Sequence, residues 1–156
     1  MMTAARESPR VSRLNLSSFD ELDGALELMY FGLKGLTRQA DEVLAKHGLS
    51  RAHHRIIFVI ARRDGVTVGD LQANLGISAQ ALHRPLKQLL DGGHVVTTRD
   101  PTRHRYKALH LTKRGTRIEQ EASECERKVI REAFGRAGTG GRKQWQLIMS
   151  IVAENA

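Results

Sequence analysis

The chain has 156 residues, of which 25 are lysine or arginine and 17 are aspartate or glutamate, so its formal net charge is +8. This length suits about one domain, and the positive charge favours a polyanionic partner. No segment approaches the roughly 18 consecutive apolar residues of a membrane span, and the single cysteine, Cys125, excludes an intramolecular disulfide. The N-terminus lacks the apolar stretch of a secretory signal, so the sequence predicts a cytoplasmic protein without a membrane partner.

The first helix is predicted to be unusually long. Residues 1 to 17 are polar and aperiodic and are expected to form a flexible arm. Ser18 with Glu21 has the pattern of a capping box, and Gly48 supplies a stop, which gives a helix of about 29 residues. Along it, apolar residues recur at spacings of three and four: Phe19, Leu22, Leu26, Met29, Leu33, Leu36, Ala40 and Val43. Such a helix outreaches the core of a small domain, so residues 18 to 48 are predicted to pair with a second copy; a bundle helix within one chain is the alternative.

Three shorter helices are predicted next. Residues 51 to 63 follow Ser50 and are apolar nearly all round in their centre, which favours a position inside the core. Residues 68 to 75 follow Thr67 and Asp70, which have the spacing of a second capping box. Gly76 is placed to make a turn, and Ser78 to cap a third helix over residues 79 to 91.

That third helix has two different faces. Leu82, Leu86 and Leu89 share one side, and four polar side chains lie within about 100° of each other on the opposite side: Gln80, His83, Arg84 and Lys87. An α-helix fits the major groove of DNA, where arginine pairs with guanine and glutamine with adenine. We therefore expect Gln80, His83 and Arg84 to contact base edges, and Lys87 and the Ser78 hydroxyl to contact phosphates. A merely solvated polar face is the alternative.

Two β-prone runs follow Gly92 and Gly93, at residues 95 to 99 and 106 to 111. Pro101 presets a turn between them, which predicts a hairpin with a basic tip. Arg103 and Arg105 are expected to reach the minor groove, with His104 between them and Asp100 holding one guanidinium in position. The alternative is a solvated turn.

The order of elements predicts a mainly α fold with a small β-hairpin wing, an α+β winged helix-turn-helix. The DNA-binding region is expected over residues 49 to 112. Two further helices, at about residues 113 to 135 and 141 to 154, continue the heptad spacing, so residues 113 to 156 are predicted to pair two chains together with the first helix.

Three segments resemble the MarR family of bacterial regulators: Leu71 to Leu90 (LQANLGISAQALHRPLKQLL), Asp100-Pro101 with Arg105, and Leu111-Thr112 with Gly115. The resemblance implies a homodimer built from the first and last helices, a pseudo-palindromic operator in double-stranded DNA, and often a small-molecule or oxidative signal. The chain differs from the family pattern at Arg103-His104-Arg105, where Asp-Arg-Arg is common, and at Pro85, which is usually aliphatic. Proline lacks a backbone donor, so the recognition helix can bend after Arg84.

The sequence therefore predicts a sequence-specific DNA-binding regulator, specifically a repressor that a small molecule releases. The alternative is an architectural protein that binds DNA without reading its sequence. A ligand pocket is expected where the helices over residues 18 to 48, 51 to 63 and 113 to 135 meet, near Tyr30, His54, Arg55 and Phe58. No metal site, cofactor or enzymatic activity is expected, because the seven histidines have no metal-ligand spacing and no nucleophile has a neighbouring base. Cys125 lies on an apolar stripe between two glutamates and is expected to be structural.

Overall fold

A computed structural model describes residues 21–99 and 107–155. In chain order its elements are α1 (Glu21–Ala45), α2 (Arg51–Arg62), β1 (Val66–Thr67), α3 (Val68–Leu75), α4 (Ala79–Asp91), β2 (Val95–Arg99), β3 (Lys107–Leu111), α5 (Lys113–Ala137) and α6 (Gly141–Ala153). The predicted fold class, mainly helical with a small β-wing, is confirmed. The predicted arm over residues 1 to 17, Ser18 and Phe19 lie outside the described residues.

The sheet has three antiparallel strands in the order β1-β3-β2. The hairpin was predicted, but β1 was not, because two residues are too few to show an alternating pattern. Val66 is paired with Leu109 and Thr67 with Ala108, so the chain leaving α2 adds a short edge strand to the wing. This pairing attaches the wing to the end of α2.

The chain divides within α1 into two units, with the boundary between Thr37 and Arg38. In the first unit, the predicted apolar stripe of α1 is exposed: Leu22 is 71% accessible, and six further large apolar residues are also exposed, namely Leu26, Leu28, Met29, Tyr30, Phe31 and Leu33. The helix ends at Ala45, slightly earlier than predicted, and Gly48 adopts a positive φ of 69° in the turn that follows.

In the second unit a single core joins the end of α1 to the other elements. The fully buried large side chains come from nearly every element: Leu44, Ile56, Ile57, Ile60, Leu71, Leu82, Leu89, Val95, Leu109 and Ile118. The expected position of α2 inside the core holds for Ile56, Ile57 and Ile60, whereas Phe58 and Ala61 of the same apolar run are exposed. One side of α2 faces the core, while the exposed side carries Arg55 and Arg62 beside these two apolar residues. Cys125 is partly buried against this core.

Helix α5 begins very close to the segment before β2. The Thr112 hydroxyl caps α5 by accepting from Gly115 N at 3.1 Å, and Thr112 N donates to His94 O at 3.0 Å. A β-carbon on Gly115 would lie 2.1 Å from that same His94 carbonyl oxygen. Only a residue without a side chain allows this approach, so Gly115 sets the distance between α5 and the wing.

We expect Gly115→Ala to lower the free energy of unfolding by at least about 2 kcal/mol, because the clash is with backbone and cannot be relieved by a side-chain rotation. Gly135→Ala is the matched control on the same helix: nothing lies within 4 Å of its β-carbon position, so it should be neutral or stabilising by up to about 1 kcal/mol. Urea unfolding measures both changes. Equal midpoints for the two variants would contradict this explanation of Gly115.

Candidate nucleic-acid interface

The helix-turn-helix is built from three local signals. Thr67 and Asp70 form the capping box at the start of α3, where Asp70 N donates to Thr67 Oγ1 at 3.1 Å. Gly76 ends α3 with a left-handed φ of 61°. Ser78 then caps α4, since its Oγ accepts from Ala81 N at 3.1 Å. Each of these residues was assigned the same place by the sequence, because capping and turn chemistry depends on neighbours a few positions away.

Helix α4 separates its apolar and polar residues as predicted. Leu82, Leu86 and Leu89 are buried, which fixes the rotation of the helix about its own axis. The four polar candidates are all exposed on the other side: Gln80, His83, Arg84 and Lys87. The Lys87 ammonium pairs with Asp91 one turn later at 2.5 Å. The helix continues through Pro85 to Asp91.

A histidine connects α4 to the start of α2, a feature that the sequence analysis missed. Ser50 N donates to His53 Nδ1 at 3.0 Å, so the neutral ring carries its hydrogen on Nε2. That Nε2 lies 2.9 Å from Gln88 Oε1 and donates to it. The bond spans 35 positions of sequence, so no local pattern could have revealed it. It holds the second half of α4 against α2.

A second histidine connects the wing to the end of α2. His110 on β3 lies with Nδ1 2.7 Å from Asp64 Oδ1 and with Nε2 2.9 Å from Thr98 Oγ1 on β2. Because the carboxylate can only accept, Nδ1 carries the donated hydrogen. The result is a carboxylate, imidazole and hydroxyl chain across both strands of the wing. The predicted contacts at the wing tip, Asp100, Arg103, His104 and Arg105, lie outside the described residues.

The four candidate ligand residues have different surroundings. Tyr30, in the first unit, is exposed and meets Phe31 edge-on at 5.2 Å between ring centroids. Arg55 is exposed. Phe58 carries the guanidinium of Arg62 over its ring, at 3.3 Å from the centroid. His54 is 4% exposed and contacts the Ser123 hydroxyl at 3.2 Å, so it is a buried histidine.

A buried polar chain joins α2 to α5 at this point. Ser123 Oγ donates to Glu119 Oε1 at 2.7 Å, and the Arg62 guanidinium donates to the same oxygen at 2.9 Å. Burial lowers the pKa of His54 and raises the pKa of Glu126, whose carboxylate lies 3.6 Å from His54 Nδ1. Glu119 and Ser123 were not among the residues predicted from the sequence. The signal available was their spacing, because both share the buried stripe of Ile118 and Ala122.

Beside these hydrogen-bonded side chains lies an open cavity of about 480 Å³. None of the four ligand candidates lines it. Its walls come from the end of α2, the end of β3 and the first half of α5: Ile60, Ala61, Arg62, Asp64, Leu111, Thr116, Glu119, Gln120 and Arg127. The volume is within the range of about 300–1,000 Å³ that small-molecule sites occupy.

No helix within residues 21–99 and 107–155 is both long enough and apolar enough to cross a membrane. In the same part of the chain, no three histidine, cysteine, aspartate or glutamate residues are grouped so that they could hold a metal ion.

Comparisons with known proteins identify related sequences and folds. The model of the MarR family matches residues 47–105. The HTH-type transcriptional regulator PetP of Rhodobacter capsulatus is 39% identical over 119 residues, which cover 76% of this chain and 72% of that protein. A MarR transcriptional regulator from Methanosarcina mazei Go1 has the same fold, with a TM-score of 0.68, 20% identity, and coverage of 87% of this chain and 96% of that one. The transcriptional repressor CouR, solved bound to a 23-mer DNA duplex, aligns with a TM-score of 0.61 and 19% identity over 97% of this chain and 98% of its own.

The buried histidines predict that stability falls on mild acidification. Burial lowers the pKa of both His54 and His94 from the ordinary 6.5, and His94 Nδ1 has no hydrogen-bond partner among the described residues. As the pH falls through 6.5 the unfolded chain therefore binds protons that the folded chain does not, so stability present above this pH is lost below it. Urea unfolding at about pH 7.5 and about pH 5.5 measures the loss.

Two variants refine that measurement. His94→Gln should reduce the dependence of the free energy of unfolding on pH, whatever its effect on absolute stability. Glu126→Gln should increase it, because the raised pKa of Glu126 makes the folded chain the better proton acceptor and so opposes the histidines. Identical pH dependence in wild type and His94→Gln would show that His94 does not contribute.

Proposed function

We propose that this chain, which belongs to the MarR family of DNA-binding transcriptional regulators, works as a homodimer that represses transcription from a pseudo-palindromic operator. The family is not enzymatic. We further propose that a small molecule releases the protein from its operator, and that the protein acts on DNA in the cytoplasm. The single observation that carries the proposal is the exposed face of α4, where amide, imidazole, guanidinium and ammonium groups lie opposite the buried leucines.

The chemistry of this face suits base readout in the major groove. Arg84 can donate two hydrogen bonds to guanine O6 and N7, and Gln80 can pair with adenine N6 and N7. Neither side chain, nor that of His83, has a hydrogen bond or ion pair within the described residues. Lys87 already pairs with Asp91 on the surface, and such an exposed pair is weak enough for a phosphate to replace the carboxylate. Ser78 and the start of α4 provide a further phosphate contact.

The wing is proposed to contact the adjacent minor groove. Its tip carries Arg103, His104 and Arg105, and Asp100 is proposed to orient one of the arginines. Support comes from CouR, a repressor of the same fold, which was solved on a DNA duplex. The division of labour proposed is therefore base reading by Gln80, His83 and Arg84, and backbone or shape reading elsewhere.

The homodimer is proposed to form through the first helix, within residues 18 to 48, and through the last helices, within residues 113 to 156. Both regions expose large apolar side chains in the single chain. On α6 these include Trp145, Leu147, Ile148, Ile151 and Val152, with Ile148 61% accessible. Exposed apolar area of this extent normally marks a protein interface. A dimer would also place two recognition helices about one DNA turn apart, roughly 34–36 Å, as a palindrome requires.

Sequencing the DNA fragments retained by the purified protein tests sequence-specific binding directly. We expect one pseudo-palindromic motif, bound about 10³- to 10⁷-fold more tightly than random duplex at fixed salt. Retention of random fragments with equal affinity would instead favour the architectural alternative.

Two substitutions on α4 form a matched pair. Arg84→Ala should cost about 1–3 kcal/mol at one base position of the motif and relax specificity there. Lys87→Ala should weaken binding to all sequences about equally and lower the salt slope by about 1. Titrations against the motif, its point variants and random duplex at several salt concentrations measure both effects. An unchanged base preference in Arg84→Ala would contradict the assignment of α4 as the reading helix.

The dimer predicts a second matched pair, on α6. Ile148→Asp should convert the dimer to monomers and weaken operator binding, because a charge would be buried between the subunits. Ser150→Asp adds the same charge about 200° away around the helix and should leave the dimer intact. Analytical ultracentrifugation gives the two masses, and circular dichroism tests the helical content. A wild-type monomer in solution would overturn this part of the proposal.

A further inference from the structure

We propose that the cavity between α2, β3 and α5 is a binding site for a small planar organic cation of the guanidinium or amidinium type. A ligand bound in this cavity would change the position of the wing through Asp64. The coupling rests on the proposed function, whereas the binding site does not. The guanidinium of Arg62 lies at the edge of this cavity.

The Arg62 guanidinium occupies a seat that would suit a free cation. Glu119 provides a carboxylate whose side chain is only 6% exposed, 2.9 Å from Arg62 Nη1. Phe58 provides an aromatic face 3.3 Å from the guanidinium carbon. A buried carboxylate and a ring face are the two groups that bind planar cations best. The side chain of Arg62 is itself 43% exposed, so water can solvate its guanidinium once a ligand replaces its contacts with Glu119, the Phe58 ring and the Phe58 carbonyl oxygen.

The buried carboxylate retains hydrogen-bonding capacity. Arg62 and Ser123 both donate to Oε1 of Glu119, and within the described part of the chain no donor reaches Oε2. A guanidinium or amidinium presents two parallel N–H groups and would engage both oxygens at once. A ligand of this shape therefore makes one more hydrogen bond with Glu119 than the tethered arginine makes.

The charge of the cavity also favours a cation. With Arg62 turned out, the charged groups on the walls are Asp64, Glu119 and Arg127, two carboxylates against one guanidinium. Arg127 is already neutralised by Glu124, since its Nε donates to Oε2 at 2.7 Å. An anionic ligand would meet unfavourable potential here, and a neutral ligand would leave the charge of Glu119 without a cation beside it.

Asp64 gives the site a connection to the wing. It lines the cavity and accepts from His110 Nδ1 at 2.7 Å, and His110 in turn contacts Thr98 on β2 at 2.9 Å. A cation that attracts the Asp64 carboxylate competes with His110 for it. The imidazole then loses the bond that fixes its position against both strands, so ligand binding and wing position are coupled.

Chemical rescue tests the site without any DNA. In Arg62→Ala the seat is vacant, and ethylguanidinium chloride should raise the melting temperature with saturation, after correction with equal sodium chloride. Half-saturation should occur at least about tenfold lower than in wild type, where the tethered guanidinium competes. Arg127→Ala is the matched control: it also removes an arginine from the cavity wall, but one that pairs with Glu124, so it should not gain affinity.

The carboxylate is tested by Arg62→Ala/Glu119→Gln, in which the saturable rise should disappear. Should this buried change prevent folding, tetramethylammonium on Arg62→Ala gives the same contrast, because it has the charge but no N–H donor and should not rescue. No saturable response in Arg62→Ala, or equal responses in Arg62→Ala and Arg127→Ala, would overturn the site.

The coupling is tested on wild type with benzamidinium and the retained DNA motif. Saturating ligand should weaken duplex binding by about 5- to 150-fold, and Asp64→Asn should abolish most of that effect while still binding the cation. Rescue without any change in duplex affinity would overturn the coupling. If the cation stabilises Arg62→Ala but the protein binds no duplex, the proposed function is refuted and the cation site is supported. If the protein binds the duplex but the cation does not stabilise Arg62→Ala, the cation site is refuted and the proposed function is supported.

Discussion

The packing of the leucine face of α4 is the interaction on which the proposed DNA-reading surface depends. Leu82 and Leu89 are essentially inaccessible, and Leu86 is 6% exposed. Three leucines on one side leave the helix a single rotation about its axis, so every polar residue on the other side is directed outward by the core and not by its own contacts. Burial of each side chain contributes about 1.5–3 kcal/mol, far more than any surface pair on the same helix.

The parts of this molecule that the sequence predicts are those governed by near neighbours. Thr67 with Asp70, Gly76 and Ser78 fixed the limits of α3 and α4, because caps and left-handed turns involve residues no more than about four positions apart. The leucine and polar faces of α4 followed from the helical period alone. Which side of α2 is buried and which is exposed could not be predicted in this way, since an unbroken apolar run has no period that distinguishes the two sides.

Contacts between distant residues were beyond such reasoning. His54 and Ser123 are 69 positions apart, and Asp64 and His110 are 46 apart, so no spacing rule connects them. The same holds for the bond between His53 and Gln88. Histidine at these positions reads equally well as a core residue, a metal ligand or a DNA contact, because its ring has one donor, one acceptor and an apolar body. The tertiary structure shows that each of the three histidines contacts a residue of a different element.

Three of these connectors converge on α2 and its ends, and their arrangement has a mechanical consequence. His53, near the start of the helix, donates to Gln88 of α4; His54 contacts Ser123 of α5; and Asp64, just beyond its end, accepts from His110 of the wing. A rotation or shift of α2 relative to the core would therefore disturb α4, the wing or both, since one hydrogen bond connects each of them to α2 or its end. Buried or oriented hydrogen bonds of this kind are strongly directional and lose most of their energy over small displacements, unlike the leucine contacts beside them. The apolar core of this chain thus determines which side of α4 faces outward, while the hydrogen bonds of His53 and Asp64 connect α4 and the wing to α2 and its end.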